Sequence, residues 1–167
     1  MSASAWNGEQ LFSSASVEWA TPQNLFDVLH GEFDFVLDAA AQESNTKCLD
    51  FISPSQDGLA CEWVAMMGYA GAVWLNPPWG RAVGKWVAKA FEQSCKHRLP
   101  VVCLLPANTD TKWWHDYVMH ATQVRFIKGR LKFVRDDGHT GPCPTGAAVV
   151  VFTPWGGPPA FLSMARP

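Results

Sequence analysis

Residues 74–80 read Trp-Leu-Asn-Pro-Pro-Trp-Gly and close the apolar run "GAVWL". The two prolines fix φ and remove two N–H donors, so the carbonyls around Pro77 and Pro78 face outward without competing donors. Asn76 places a neutral side-chain oxygen directly before them. An exocyclic amine offered to such a turn donates one proton to Asn76 and one to the Pro77 carbonyl. That pairing draws the nitrogen lone pair out of conjugation and aims it at an electrophile. Trp79 supplies a flat face for a planar base, a contact worth roughly 1–3 kcal/mol per base. The combination fits methylation of a nucleobase amino group. A strand-ending Pro-Pro turn with Trp79 filling the core accounts for the same residues, so the surrounding elements must decide.

In doubly wound sheets, ligands sit at the carboxyl ends of strands. "FDFVLDAA" predicts a strand ending at Asp38, and "GAVWLN" one ending at Asn76. "PVVCLLPA" predicts a third, ending just before Asn108-Thr109-Asp110, so three polar ends share one rim. Their apolar runs are continuous, which suits parallel strands covered on both faces. Thr21 stands where an N-cap belongs, Pro22 at the first helical position and Gly31 as a stop. "DGLACEWVAMM" predicts a helix, and "RAVGKWVAKAFEQSCKHR" another with Val83, Trp86, Val87, Ala90 and Phe91 on one face. "TDTKWWHDYVMH" predicts a helix capped by Thr109 or Asp110. "QVRFIKGRLKFVRDDG" predicts two strands around Lys128-Gly129, and "AAVVVF" the last strand. The expected fold is α/β and Rossmann-like: a compact, mixed, mostly parallel sheet with helices on both faces and an antiparallel edge. It forms one domain over residues 1–167, with 1–16 as a polar arm.

The chain has 167 residues, 48 % apolar and 17 % charged, which argues against disorder. Five cysteines form no CxxC pair and the five histidines no HExxH, so neither a disulfide framework nor a metal site is expected. No apolar run approaches a membrane span and the start has no signal-peptide pattern, so a cytoplasmic protein is expected. The net charge of −2 hides an asymmetry. Residues 1–80 hold ten acids and one base, whereas residues 81–135 hold eleven bases and three acids. A half that suits a cation precedes a half that suits a polyanion. Arg81, Lys85 and Lys89 recur every four residues as a basic ridge, and Lys128, Arg130, Lys132 and Arg135 form a second patch.

With these elements in order, the chain resembles the phage-type DNA N6-adenine methyltransferase family. The matching segments are "WATPQNLFDVL", "FDFVLDAA", "DGLACEW", "VWLNPPWG", "KWVAKA", "VVCLLPANTDTKWWHD" and "FIKGRLKF", spanning residues 19 to about 152. "NPPW" alone is shared with N4-cytosine, glutamine and RNA methyltransferases; the full set is far more specific. The resemblance implies S-adenosylmethionine as methyl donor and Asn76, Pro77, Pro78 and Trp79 as the catalytic turn. It implies that Asp38 and Ala39 carry the strand-end cofactor motif, with Asp38 holding the ammonium or methionine moiety, and that Asn76 also borders the cofactor. Thr21 and Pro22 open a helix whose free N–H groups suit the methionine carboxylate, and Asp57 accepts from the cofactor adenine amine. Plain N-capping accounts equally for Thr21, and a cap on the next helix accounts for Asp57.

The implied partner is DNA, with Arg81, Lys85, Lys89, Lys128, Arg130 and Lys132 on phosphates. Such contacts give affinity and salt dependence rather than sequence choice. The target base must be flipped out of the duplex. For Trp113 and Trp114 packing is the expected role. One departure stands out: no glycine falls between Gly31 and Gly58, and "DAAAQESN" occupies the place of the family's Gly-rich turn. The stretch from Asp38 to Asn76 is also short enough to lose or abbreviate one or two strands. N4-cytosine methylation is the nearest alternative, and a nucleic-acid-binding module without catalysis the next. The sequence sets neither the oligomeric state nor the recognition site.

Overall fold

A computed structural model describes residues 20–134, 140–143 and 145–167. The arm expected over 1–16 and Arg135 lie outside them. Helix α1 (Gln23–Phe33) buries Leu25, Phe26 and Leu29. Strands β1 (Phe35–Asp38), β2 (Asp50–Phe51) and β3 (Ala72–Leu75) follow, then α2 (Val83–His97) and β4 (Val101–Pro106). The second half holds α3 (Lys112–Asp116), β5 (Gln123–Ile127), β6 (Lys132–Val134), β7 (Thr140–Pro142), β8 (Ala147–Phe152) and β9 (Ala160–Met164).

Seven strands form one sheet in the order β2-β1-β3-β4-β8-β5-β9. β2, β1, β3 and β4 run parallel, β8 is antiparallel to both β4 and β5, and β9 runs parallel to β5. The antiparallel strand thus lies inside the sheet, and the edges are β2 and β9. Every residue of β1, β3, β4 and β8 is buried, as continuous apolar runs demand. Alternate side chains feed two cores. Val73, Leu75, Cys103 and Leu105 pack with Val83, Val87 and Ala90 of α2 on one face. Trp74, Val102 and Leu104 pack with Leu25, Phe26 and Leu29 of α1 on the other. The sheet is α/β and Rossmann-like, with its shortest strand, β2, only two residues long.

Several boundaries differ from the sequence reading. Pro22, not Thr21, precedes the first turn of α1, and no side chain caps it; the Pro22 carbonyl accepts from Leu25 N and Phe26 N. The helix passes through Gly31 and stops where Asp34 turns left-handed (φ 53°), its N–H bonding the His30 carbonyl. Residues 58–67 yield only a 3-10 turn, Trp63–Met66, because the Trp63 N–H bonds Gln93 Oε1 instead of continuing a helical ladder. α3 is preceded by Thr111, not capped by Thr109 or Asp110; the Thr111 hydroxyl donates to the Asn108 carbonyl. β5 and β6 do not form a hairpin: β5 pairs with β8 and β9, and β6 pairs with β7 in a separate ribbon. "AAVVVF" is not the last strand, since Ala160–Met164 of the Pro/Gly-rich tail adds β9.

Candidate active site

β1, β3 and β4 lie side by side, so the ends of β1 and β3 bring Asp38 and Asn76 to one rim. They open onto a cavity of about 610 Å³, within the roughly 300–1,000 Å³ typical of small-molecule sites. Thr21, Asp38, Asp57, Asn76, Pro77, Pro78 and Trp79 all line it. Ala39 does not; it is fully buried, while its neighbours Ala40 and Ala41 reach the wall. Pro22 instead borders a separate cavity of about 250 Å³ with Lys132 and Arg166. Asn108, beyond β4, is absent from the wall.

Asp38 is only 3 % exposed. Its Oδ1 accepts from Ala40 N at 3.4 Å and its Oδ2 from Lys47 N at 3.1 Å. Burial pushes its carboxyl up to about 6, against the opposing pull of the Lys47 and Ala40 backbone N–H groups. Each oxygen keeps acceptor capacity beyond that one backbone bond. Ala39 N donates to the Trp74 carbonyl at 2.9 Å, which locks the alanine turn onto β3. Thr21 is 3 % exposed and lies two residues before the first residue of α1. Asp57 takes a left-handed φ of 52°, and its Oδ1 accepts from Leu59 N at 3.1 Å, so it folds its own turn rather than capping a helix.

At the turn after β3, Pro77 is buried, Asn76 and Trp79 are half-buried and Pro78 is exposed. Trp79 Nε1 donates to the Leu104 carbonyl at 3.3 Å, and Phe133 of β6 meets its ring edge-on at 5.4 Å. The indole is therefore oriented by the core while it lines the cavity. Trp113 packs against the α2-side core and Trp114 is buried.

Sequence reasoning missed Gly58, Trp74, Trp86, Phe133 and Lys47, all on the wall. A Cβ on Gly58 would lie 2.7 Å from the Ala39 carbonyl and 2.8 Å from Trp86 Cη2. The glycine required for a close approach at the Asp38 turn thus comes from a later segment that packs directly on that turn. Among the described residues, Trp74 Nε1 is a buried side-chain nitrogen without a partner. No pattern in the sequence points to these five, because each reaches the cavity through tertiary packing.

Of the basic residues, Arg81, Lys85, Lys128, Arg130 and Lys132 are exposed. The Lys89 side chain is only 10 % exposed and lies 3.9 Å from Glu92, so it departs from the solvated ridge. None of the six lines the large cavity. Among the described residues no helix is long and apolar enough to cross a membrane.

A family model described as DNA N-6-adenine-methyltransferase (Dam) matches residues 9–166. The chain belongs to this family. Within the DNA N-6-adenine-methyltransferases, a protein of that name from Haemophilus phage HP1 is 34 % identical over 122 residues. The match covers 71 % of this chain and 67 % of the phage protein. Another of that name, from Escherichia phage T1, is 33 % identical over 144 residues. It covers 77 % of this chain, and this chain spans 57 % of the T1 protein.

The cavity fits the methyl donor that the methyltransferase class implies. S-adenosylmethionine is cationic and carries amine donors, and the wall offers two carboxylates, Asp38 and Asp57. A side chain at Gly58 would clash with the Ala39 carbonyl and Trp86, so this part of the wall is bare backbone.

Proposed function

We propose that this chain, acting as a single domain, transfers a methyl group from S-adenosylmethionine to the N6 amine of an adenine flipped out of DNA. The observation that carries this reading is the opening of Asp38 and the Asn76-Pro77-Pro78-Trp79 turn onto one cavity. S-adenosylmethionine, when bound, supplies an electrophilic methyl carbon on a sulfonium. The buried Asp38 carboxylate holds the donor's ammonium, and Thr21, on the same wall, lies on the side of its carboxylate, whereas Pro22 and the first turn of α1 border the smaller cavity and take no part. Asp57 accepts from the adenine amine of the cofactor, and Ala39 packs the turn beneath it.

Asn76 Oδ1 and the Pro77 carbonyl each accept one proton of the target amine. With the donor bound, the nitrogen lone pair freed by these two acceptors would be available to the methyl group that the donor supplies, and the neutral thioether would leave. The surplus proton leaves the nitrogen as or after the methyl arrives, so no strong base has to act first. Holding the reacting atoms about 3–3.5 Å apart is the main requirement. Arg81, Lys85, Lys89, Lys128, Arg130 and Lys132 bind flanking phosphates, Lys89 by unfolding its side chain outward. The setting is the cytoplasm of a bacterium or a phage-infected cell.

Incubation with labelled donor and unmethylated DNA, followed by nucleoside analysis, tests the reaction. Label in N6-methyladenine is expected. Label in N4-methylcytosine, or DNA binding without transfer, overturns the reading.

Trp79→Ala is expected to weaken productive base capture about tenfold, in line with roughly 1–3 kcal/mol for one stacked base. Trp79→Phe keeps a ring face but loses the bond to Leu104, and is expected to retain most of the capture. Single-turnover rates measured against DNA concentration separate the two. If Trp79→Ala lowers only the melting temperature, Trp79 merely closes the turn.

A further inference from the structure

Directly against the alanine turn, Asp57 and Gly58 contribute to the cavity wall. A chain of buried bonds ties that wall to the interior of α2. Gln93 is completely buried on α2; its Oε1 accepts from Trp63 N at 2.9 Å and its Nε2 donates to Glu62 Oε2 at 3.1 Å. The Trp63 indole, also completely buried, donates from Nε1 to the Gly58 carbonyl at 2.7 Å. Glu62 is fastened further by Lys96 at 2.8 Å and His97 at 2.6 Å. These bonds, from Lys96 first, then His97 and Gln93, hold its carboxyl down at about 2.

Gln93 lies seven residues after Trp86, so both sit on the same stripe of α2. Trp86 reaches the cavity directly, and Gln93 anchors the segment that faces Trp86. Gly58 is pressed between Trp86 and the Ala39 carbonyl so closely that a Cβ would not fit. Ala39 is itself bonded to β3 two residues before Asn76. A polar side chain in a hydrophobic core is costly unless fully bonded. The bonds of Gln93 are spent on this segment, which has little regular structure of its own.

We propose that Gln93 and Trp63 are positioning residues for the methyl donor. Acting through Gly58 and Asp57, they set where that wall segment seats against the Asp38 turn. This rests on the reading of the cavity as the donor site. Neither residue touches the ligand. Their substitution widens or misaligns the donor pocket without altering the amine-polarising turn or the DNA-facing charges.

Titration calorimetry with S-adenosylmethionine, on the full chain well below its melting temperature, tests this. Gln93→Leu is expected to raise the donor dissociation constant about tenfold or more. Trp63→Phe keeps the aromatic bulk, removes only the indole N–H, and covers the case in which Gln93→Leu fails to fold; several-fold weakening is expected. DNA affinity and kcat at saturating donor should stay within about twofold, so the loss appears in KM for the donor. A purely structural role would lower the melting temperature and leave the donor affinity of the folded protein unchanged. That result in folded Trp63→Phe overturns the proposal, as does a loss confined to kcat. Failure of the unsubstituted chain to bind the donor overturns instead the donor-site reading beneath it.

Discussion

Asn76→Ala is expected to lower methyl transfer by roughly a hundred- to a thousandfold, the usual cost of removing one preorganised polar partner of a reacting group. DNA affinity should stay within about twofold. Asn76 follows a completely buried strand, β3, hydrogen-bonded to β1 on one side and β4 on the other. Its backbone therefore has little freedom to relax after the substitution. The Pro77 carbonyl remains, so one of two acceptors is lost and the amine keeps more of its conjugation. Asn76 is only half-buried, and the fold does not depend on it as it does on Trp74 or Leu75. Asn76→Asp preserves an acceptor and should recover part of the rate. Single-turnover assays with N6-methyladenine as product, beside filter binding to DNA, supply the two numbers. Undiminished transfer in Asn76→Ala would sink the proposed polarisation of the amine.

The parts of this site legible in the sequence are those set by local pattern. "FVLD" and "VWLN" are short apolar runs with a polar end, and they fold as β1 and β3 with Asp38 and Asn76 at one rim. "LDAA", "NPPW" and "GRLKF" in fixed order identified the family, which the match over residues 9–166 bears out. The illegible parts depend on partners far along the chain. Residues 58–67 have helical composition, yet Gln93, thirty residues on from Trp63, takes the N–H that a helix would use. β9 hides in a tail of prolines and glycines because its stabilising partner is β5, more than thirty residues earlier. The glycine-poor turn after Asp38 reads as a deficit in the sequence for the same reason. Gly58 supplies the close approach from a later segment packed on the Ala39 carbonyl, a relation no spacing rule encodes.

Asp38→Asn should weaken donor binding at least a hundredfold, equivalent to about 2.7 kcal/mol, because a buried cation loses its counter-charge. The unsubstituted chain should show the same dependence through pH. Its Asp38 holds a proton up to about pH 6, whereas the unfolded chain releases it near 3.8. Only the carboxylate form attracts an ammonium, so donor affinity should fall by up to about tenfold per pH unit below 6 and level off above it. Stability runs in the opposite direction. Between pH 3.8 and about 6 the native state binds more protons than the unfolded state, so stability falls as pH rises. The full cost, on the order of 3 kcal/mol, is present at neutral pH and absent below the unfolded value. Asparagine carries no such penalty, although its amide can accept from only one of the Ala40 and Lys47 N–H groups and opposes the other. The net change in melting temperature is therefore small, but the part of the pH slope due to Asp38 should vanish. Calorimetric titration of the donor from pH 5 to 8, beside thermal melts from pH 4 to 7, measures both effects. A donor affinity that is flat across pH 6 in the unsubstituted chain would remove Asp38 from the role of ammonium partner. Burial makes the Asp38 carboxylate costly to the fold, and under the proposed reading a cationic donor would offset that cost.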